Sequence, residues 1–353
     1  MRKILTLILA VVCLFLCSCG SNRNESVPSA TSDIVYPTVE PIEEITAEPT
    51  PAPTPEPEIE INGEKVKAST LEAGYIFDLF GQEVNTLTTD RLEYSLVSIG
   101  DDGLDTFRTV LPYMKALEYL SFDRCDMSDE KVAQLREDFP DIKIVWRVFF
   151  GPFSCFTDEE TIWASCDLRD EQTEALRYCN DVKNLDVGHC TLTDYWFLEY
   201  MPNLEVLIIS CGDVEDVTQI GEYCHNLIFL EAAEDRIVDV SPIAKCTSLV
   251  YLNVGGNQYM DFDTLSSLYT LPNLKRFFCQ NYMNINVNME EEEEKVQELM
   301  PDTEVDFFVT YENALNEKWR YTKGMYQGDY NEMYQWIRDI FGYDDPYGQS
   351  RLY

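Results

Sequence analysis

LVYLNVGGN, Leu249 to Asn257, is the stretch that decides how this chain folds. Leu249, Leu252 and Val254 stand at its positions 1, 4 and 6, with Tyr251 and Asn253 at positions 3 and 5. On an extended backbone successive side chains alternate between faces, so positions 4 and 6 share one face and positions 3 and 5 the other. The spacing recurs. VKNLDVGHC, LEVLIISCG, LIFLEAAED and LKRFFCQNY begin at Val182, Leu204, Leu227 and Leu274, which places the five segments 22, 23, 22 and 25 residues apart. Apolar residues fall at positions 1, 4 and 6 each time, and position 11 is usually apolar too, at Leu192, Val214, Ile237 and Tyr259. An earlier copy, LEYLSFDRCDM, begins at Leu117. Each unit leaves an apolar edge that only another unit can cover, so the units must stack.

This pattern resembles the leucine-rich repeat, LxxLxLxxNxL, and DVSPI (Asp239 to Ile243) is similar to the short internalin-type variant. The expected fold is α/β: a solenoid with a curved parallel sheet on its concave face and short helices or 3-10 turns on its convex face. Before the repeats, EIEINGEKVKAST places Asn62-Gly63 between alternating residues, a hairpin signal suited to capping the open edge. SLVSIG (Ser95 to Gly100) reads as the strand of a degenerate unit, and TDEETIWASCDLRDEQTEALRYC as a modified unit with its convex helix over Glu171 to Cys179. The interruption VWRVFFGPFSC, with WRY and WIRDIFG near the C-terminus, resembles leucine-rich-repeat lipoproteins of anaerobic Gram-positive bacteria.

The repeat gives the cysteines a register. Three residues before successive strand starts stand Met114, Phe139, Cys179, Met201, Cys224, Cys246 and Leu271. A slot shared with Met, Phe and Leu is a buried apolar slot, where thiols act as small hydrophobes. Cys125 and Cys190 occupy position 9, where such repeats bond the turning backbone, and Cys279 is a core position 6. Cys155, Cys166 and Cys211 have no such role, and their pairing stays open. No CxxC spacing occurs, so no metal and no cofactor is expected.

The N-terminus sets the expected compartment. Arg2 and Lys3 precede an apolar stretch from Ile4 to Leu16, and Leu16-Cys17-Ser18-Cys19 resembles the lipobox of bacterial lipoproteins. That resemblance implies cleavage after Ser18, lipidation of Cys19, and anchoring on the outer face of the cytoplasmic membrane. TAEPTPAPTPEPE lies in a segment too poor in apolar residues to order itself. Extended at polyproline pitch, its roughly 40 residues reach ~120 Å. The expected organisation is a signal peptide over 1–18, a tether over 19–58, a capped solenoid over 59–310 and an aromatic-rich C-terminal helix or cap over 311–353.

A net charge of −38 excludes a nucleic-acid partner, which needs a cationic footprint. The run Glu290–Glu294 reads as a solvated helix start favoured by the helix dipole. His189 and His225 are the only histidines, no nucleophile-base set can be built on them, and NVGGNQ belongs to a repeat rather than a phosphate loop, so no catalytic residues are expected. What remains is surface. Tyr119, Val206, Phe229, Tyr251 and Arg276 form one exposed column, and Ile208, Glu231, Asn253 and Phe278 belong to the next. So apolar a concave face either marks a partner site, which implies a binding module for a protein or peptide ligand, or is covered by the C-terminal tail or a loop. The alternative is a cell-envelope or dietary glycan binder working through the aromatic segment, with Trp319 and Trp336 exposed. Tyr330 to Phe341 has the i, i+3, i+4, i+7 spacing of an amphipathic helix and would otherwise cover the edge of the last repeat.

Overall fold

A computed structural model describes residues 55–279, 288–307, 321–323, 329–330, 332–344 and 350 of the chain. The signal peptide, the lipobox, most of the tether and Trp319 lie outside the described residues. Two hairpins come first. β1 (Glu58–Ile61) pairs antiparallel with β2 (Glu64–Lys67). Asn62 and Gly63 turn between them with φ of 52° and 81°, the left-handed pair that a two-residue hairpin loop requires. β3 (Ile76–Leu79) and β4 (Gln82–Asn85) form the second hairpin, which the repeat pattern does not announce.

Two sheets follow where one was expected. In the first, β5 (Arg91–Ser95), β6 (Tyr119–Asp123) and β7 (Lys143–Phe150) run parallel, and β8 (Phe153–Phe156) folds back antiparallel on β7 through Gly151-Pro152. The VWRVFFGPFSC interruption is therefore a hairpin that ends this sheet. SLVSIG is not the strand: β5 stops at Ser95, Leu92 and Tyr94 supply its core face, and Gly100 already opens the helix Gly100–Val110. The second sheet is wholly parallel and in chain order: β9 (Thr161–Trp163), β10 (Asn184–Asp186), β11 (Val206–Ile208), β12 (Phe229–Glu231), β13 (Tyr251–Asn253), β14 (Arg276–Phe278) and β15 (Glu304–Asp306).

On the convex side the chain returns through Glu174–Tyr178, Trp196–Tyr200, Thr218–Tyr223 and Ser241–Lys245. Cys179, Met201, Cys224 and Cys246 follow these turns with ψ of 65°, 61°, 58° and 65°, each N–H closing its turn on the carbonyl of Leu176, Leu198, Ile220 or Ile243. That recurrent bend aims each side chain inward, where it is buried. Thiol and thioether are interchangeable there because only volume counts. Cys279 is buried as well, while Phe139 is half-buried.

Position 9 forms a ladder. Cys125 Sγ donates to Tyr94 O at 3.5 Å, Cys190 Sγ to Ala164 O at 3.3 Å, and Asn257 Nδ2 to Ala232 O at 2.9 Å. Each acceptor is position 6 of the preceding unit, so in these three units a side chain bonds a carbonyl near the point where the strand turns away. Asp235 stands in the same column. Position 11 buries Leu192, Val214 and Ile237, but Tyr259 is exposed and Met260 takes the core place, because that unit is longer than those before it. Cys155 is buried with its Sγ 3.9 Å from Cys179 Sγ, Cys166 is exposed, and Cys211 is partly exposed. The glutamate run opens the helix Met289–Leu299 as expected, although Glu292 also accepts from Tyr269 Oη at 2.5 Å and Glu293 from Phe307 N at 2.8 Å. Among the described residues no helix is long and apolar enough to cross a membrane.

Candidate functional site

The register assembles most of the expected concave patch. Val206 pairs with Phe229, Phe229 with Tyr251 and Tyr251 with Arg276, while Ile208, Glu231, Asn253 and Phe278 line up across the next column. Tyr119 is not among them. It sits in the four-stranded sheet, half-exposed, with the Arg91 guanidinium 3.7 Å above its ring.

The patch does not face solvent. The C-terminal helix Glu332–Phe341 lies on it, and Met333, Tyr334, Ile337 and Phe341 bury against Val206, Ile208, Phe229 and Phe278. These helix residues recur at i, i+1, i+4 and i+8, one stripe of an α-helix. Trp336 packs inward too, its ring 6.3 Å from that of Phe229 and 6.4 Å from that of Tyr251. Phe229 and Val206, expected to be open, are 0% exposed, and Glu231, expected on the rim, is 2% exposed. Asn253 is buried as well, whereas Tyr251 and Arg276 stay half-exposed. The helix covers the middle of the concave face rather than the last repeat's edge, since the aliphatic and aromatic residues lie there.

Beyond the helix, Tyr343 Oη donates to Asp186 Oδ2 at 2.6 Å, and its ring meets Trp163 edge-on at 4.9 Å. Burial and the adjacent Asp186 carboxylate push the Tyr343 phenol well above its ordinary range, so it stays a donor. Further on, Ser350 O accepts from Ser154 N at 2.7 Å and Ser350 N donates to Trp163 O at 2.9 Å. One residue of the C-terminal segment thereby links β8 to β9 across the break between the sheets. Trp163 was not singled out from sequence, and Tyr343 only as one of the many aromatic residues of the C-terminal segment. The available signal was the match between an apolar concave column and an amphipathic helix in the same chain.

The concave face of the four-stranded sheet is different in character. Arg91 and Glu93 are exposed, Arg147 Nε donates to Asp123 Oδ1 at 2.7 Å, and Phe149 is 43% exposed. His189 and His225 are both exposed, and among the described residues no three His, Cys, Asp or Glu side chains are grouped to hold a metal ion.

No family model matches the chain, and no curated protein does. Among solved structures, an internalin of Listeria monocytogenes is similar at 21% identity over 49% of this chain and 43% of its own, with a TM-score of 0.30. Internalin C2 of the same organism is similar at 18% identity over 44% of this chain and 73% of its own, with a TM-score of 0.29. A leucine-rich-repeat protein of Leptospira interrogans is similar at 16% identity over 56% of this chain and 50% of its own, with a TM-score of 0.32. The chain thus spans less than half the length of the first and half that of the third. The parallel strands in chain order, the convex returns and the position-9 ladder are what define the architecture. The fold is a leucine-rich-repeat solenoid.

Proposed function

We propose that this chain is a lipid-anchored, extracytoplasmic binding module that takes a protein or peptide ligand on its concave face. The observation that carries this reading is the seating of the C-terminal helix: the concave sheet is chemically suited to an amphipathic polypeptide segment and already holds one in cis. Helix-in-groove recognition likewise lays one apolar stripe of an amphipathic helix, anchored at i, i+3, i+4 and i+7, into a hydrophobic surface. Among the described residues, Phe149 is exposed and Tyr119 half-exposed on the four-stranded sheet, where a ligand from outside could reach them. The glycan alternative has less support, because Trp336 turns its ring onto Phe229 and Tyr251 instead of offering it to a sugar.

A photoreactive residue placed at Tyr119 in living cells tests the ligand site. A discrete crosslinked polypeptide is expected from that position and none from the same residue at Glu291, on the acidic helix. Equal yields from both positions, or none from Tyr119, would dismiss the concave reading. Anchoring has its own test: in Cys19→Ala the precursor is expected to stay uncleaved and to take up no labelled fatty acid. Undiminished labelling in that variant would remove the lipid anchor from the proposal.

A further inference from the structure

Between the C-terminal segment and the strand ends of β9, β10 and β11 lies a cavity of about 180 Å³ that no part of the reading above uses. Trp163, Ser165, Asp186, His189, Ser210, Tyr334 and Tyr343 are among the residues that line it. Several of their polar groups are engaged inside the protein. Trp163 Nε1 donates to Ser165 Oγ at 2.8 Å, Tyr343 Oη to Asp186 Oδ2 at 2.6 Å, Gly188 N to Asp186 Oδ1 at 2.9 Å, and Ala233 N to Ser210 Oγ at 3.0 Å. The lining is rich in aromatic rings and oxygens, with one carboxylate, one imidazole and no Lys or Arg.

That combination selects by charge and by size. Aromatic faces attract cations through the ring quadrupole, and a carboxylate beside them supplies the counter-charge. The −38 net charge of the chain raises the local concentration of cations around it. The cavity is smaller than the ~300–1,000 Å³ of sites that enclose a whole drug-sized ligand, so it fits one headgroup.

We propose that this cavity is a binding site for an alkylammonium group, closed on one side by Tyr334 and Tyr343 of the C-terminal segment. Two sources offer that chemistry: a free small molecule with a quaternary ammonium, and a lysine side chain of a polypeptide. The site does not depend on the Tyr119 region, so its success or failure is independent of the crosslinking experiment above.

The test is calorimetric titration of the purified mature chain with choline, with N-acetyl-lysine amide and with glucose, together with melting temperature at each ligand concentration. Saturable binding of choline, of the lysine amide or of both is expected, with a rise in melting temperature and no binding of glucose. Choline alone identifies a free quaternary ammonium as the guest, and the lysine amide alone identifies a polypeptide. Asp186→Asn is expected to weaken binding at least tenfold, and Trp163→Phe several-fold with the fold intact. Should Asp186→Asn fail to fold through losing its place between Gly188 and Tyr343, Trp163→Phe and a loss of affinity on adding salt decide the matter. Absence of binding by both ammonium compounds, glucose binding as tightly as either, or affinity unmoved by Trp163→Phe and by salt would each overturn the proposal.

Discussion

Phe229→Ala is expected to destabilise the folded domain by about 3–4 kcal/mol, within the ~3–5 kcal/mol that removing a fully buried phenylalanine costs. In a domain of this size that is a fall in melting temperature of roughly 6–12 °C. From the repeat pattern alone the opposite result would be forecast, because position 3 faces away from the core of positions 4 and 6. The structure reverses it: Phe229 is 0% exposed beneath Ile337 and Trp336. A double-mutant cycle isolates the cause. In a chain ending at residue 331 the helix is gone, Phe229 lies on an open sheet face, and the same substitution is expected to cost ~1 kcal/mol or less. If the cost were equal in the two backgrounds, the helix would not be what buries this ring. Tyr251→Ala, at the half-exposed edge of the same contact, is expected to cost less than Phe229→Ala in the full chain.

The pattern of positions 1, 4 and 6 located β10 to β14 and their register residue for residue, since those units carry Val or Leu at position 1. The units it misplaced or missed share one defect. Aligned through the ladder, position 1 is Thr89 for β5, Glu159 for β9 and Asp302 for β15, all polar. The core of those units rests on positions 4 and 6 alone, Leu92 and Tyr94, Ile162 and Ala164, Val305 and Phe307. Two alternating residues are too weak a signature to separate from a chance pair. The site was half legible. Columns 3 and 5 are where the sequence places them, but covering them depends on a helix more than fifty residues further along the chain, and periodicity within one element carries no information about which face a distant element meets. The break between the two sheets was legible only as an irregular stretch, because its repair by Ser350 uses backbone atoms that any residue possesses.

Asp235 gives the second large expected effect. It occupies position 9, where Asn257 donates to Ala232 O and Val254 O and accepts from Ile237 N. Asp235 Oδ1 accepts from Gly212 N at 2.6 Å, while Oδ2 is buried with no hydrogen-bond partner among the described residues. Burial pushes this carboxyl up to about 8, the nearby Asp213, Glu234 and Glu231 add to it, and the Gly212 N–H opposes only in part. The sign follows from proton binding. Between about pH 4 and about pH 8 the folded chain holds a proton on Asp235 that the unfolded chain has released, so Asp235 makes the domain less stable as pH rises through that window. At 1.36 kcal/mol per pH unit the ceiling is roughly 5 kcal/mol, and relaxation around the charged form brings the expected loss to about 3 kcal/mol. Asp235→Asn keeps the oxygen that Gly212 needs and never ionises. Its unfolding free energy from urea titration is expected to match the parent within ~1 kcal/mol at pH 5 and to exceed it by about 3 kcal/mol at pH 8. The comparison is made as a difference between the two proteins, because the many other carboxylates titrate equally in both. A difference that stays constant from pH 5 to pH 8 would mean that Asp235 ionises freely in the folded chain. A difference that grows with pH identifies this position as a charge held neutral in a ladder built for an amide.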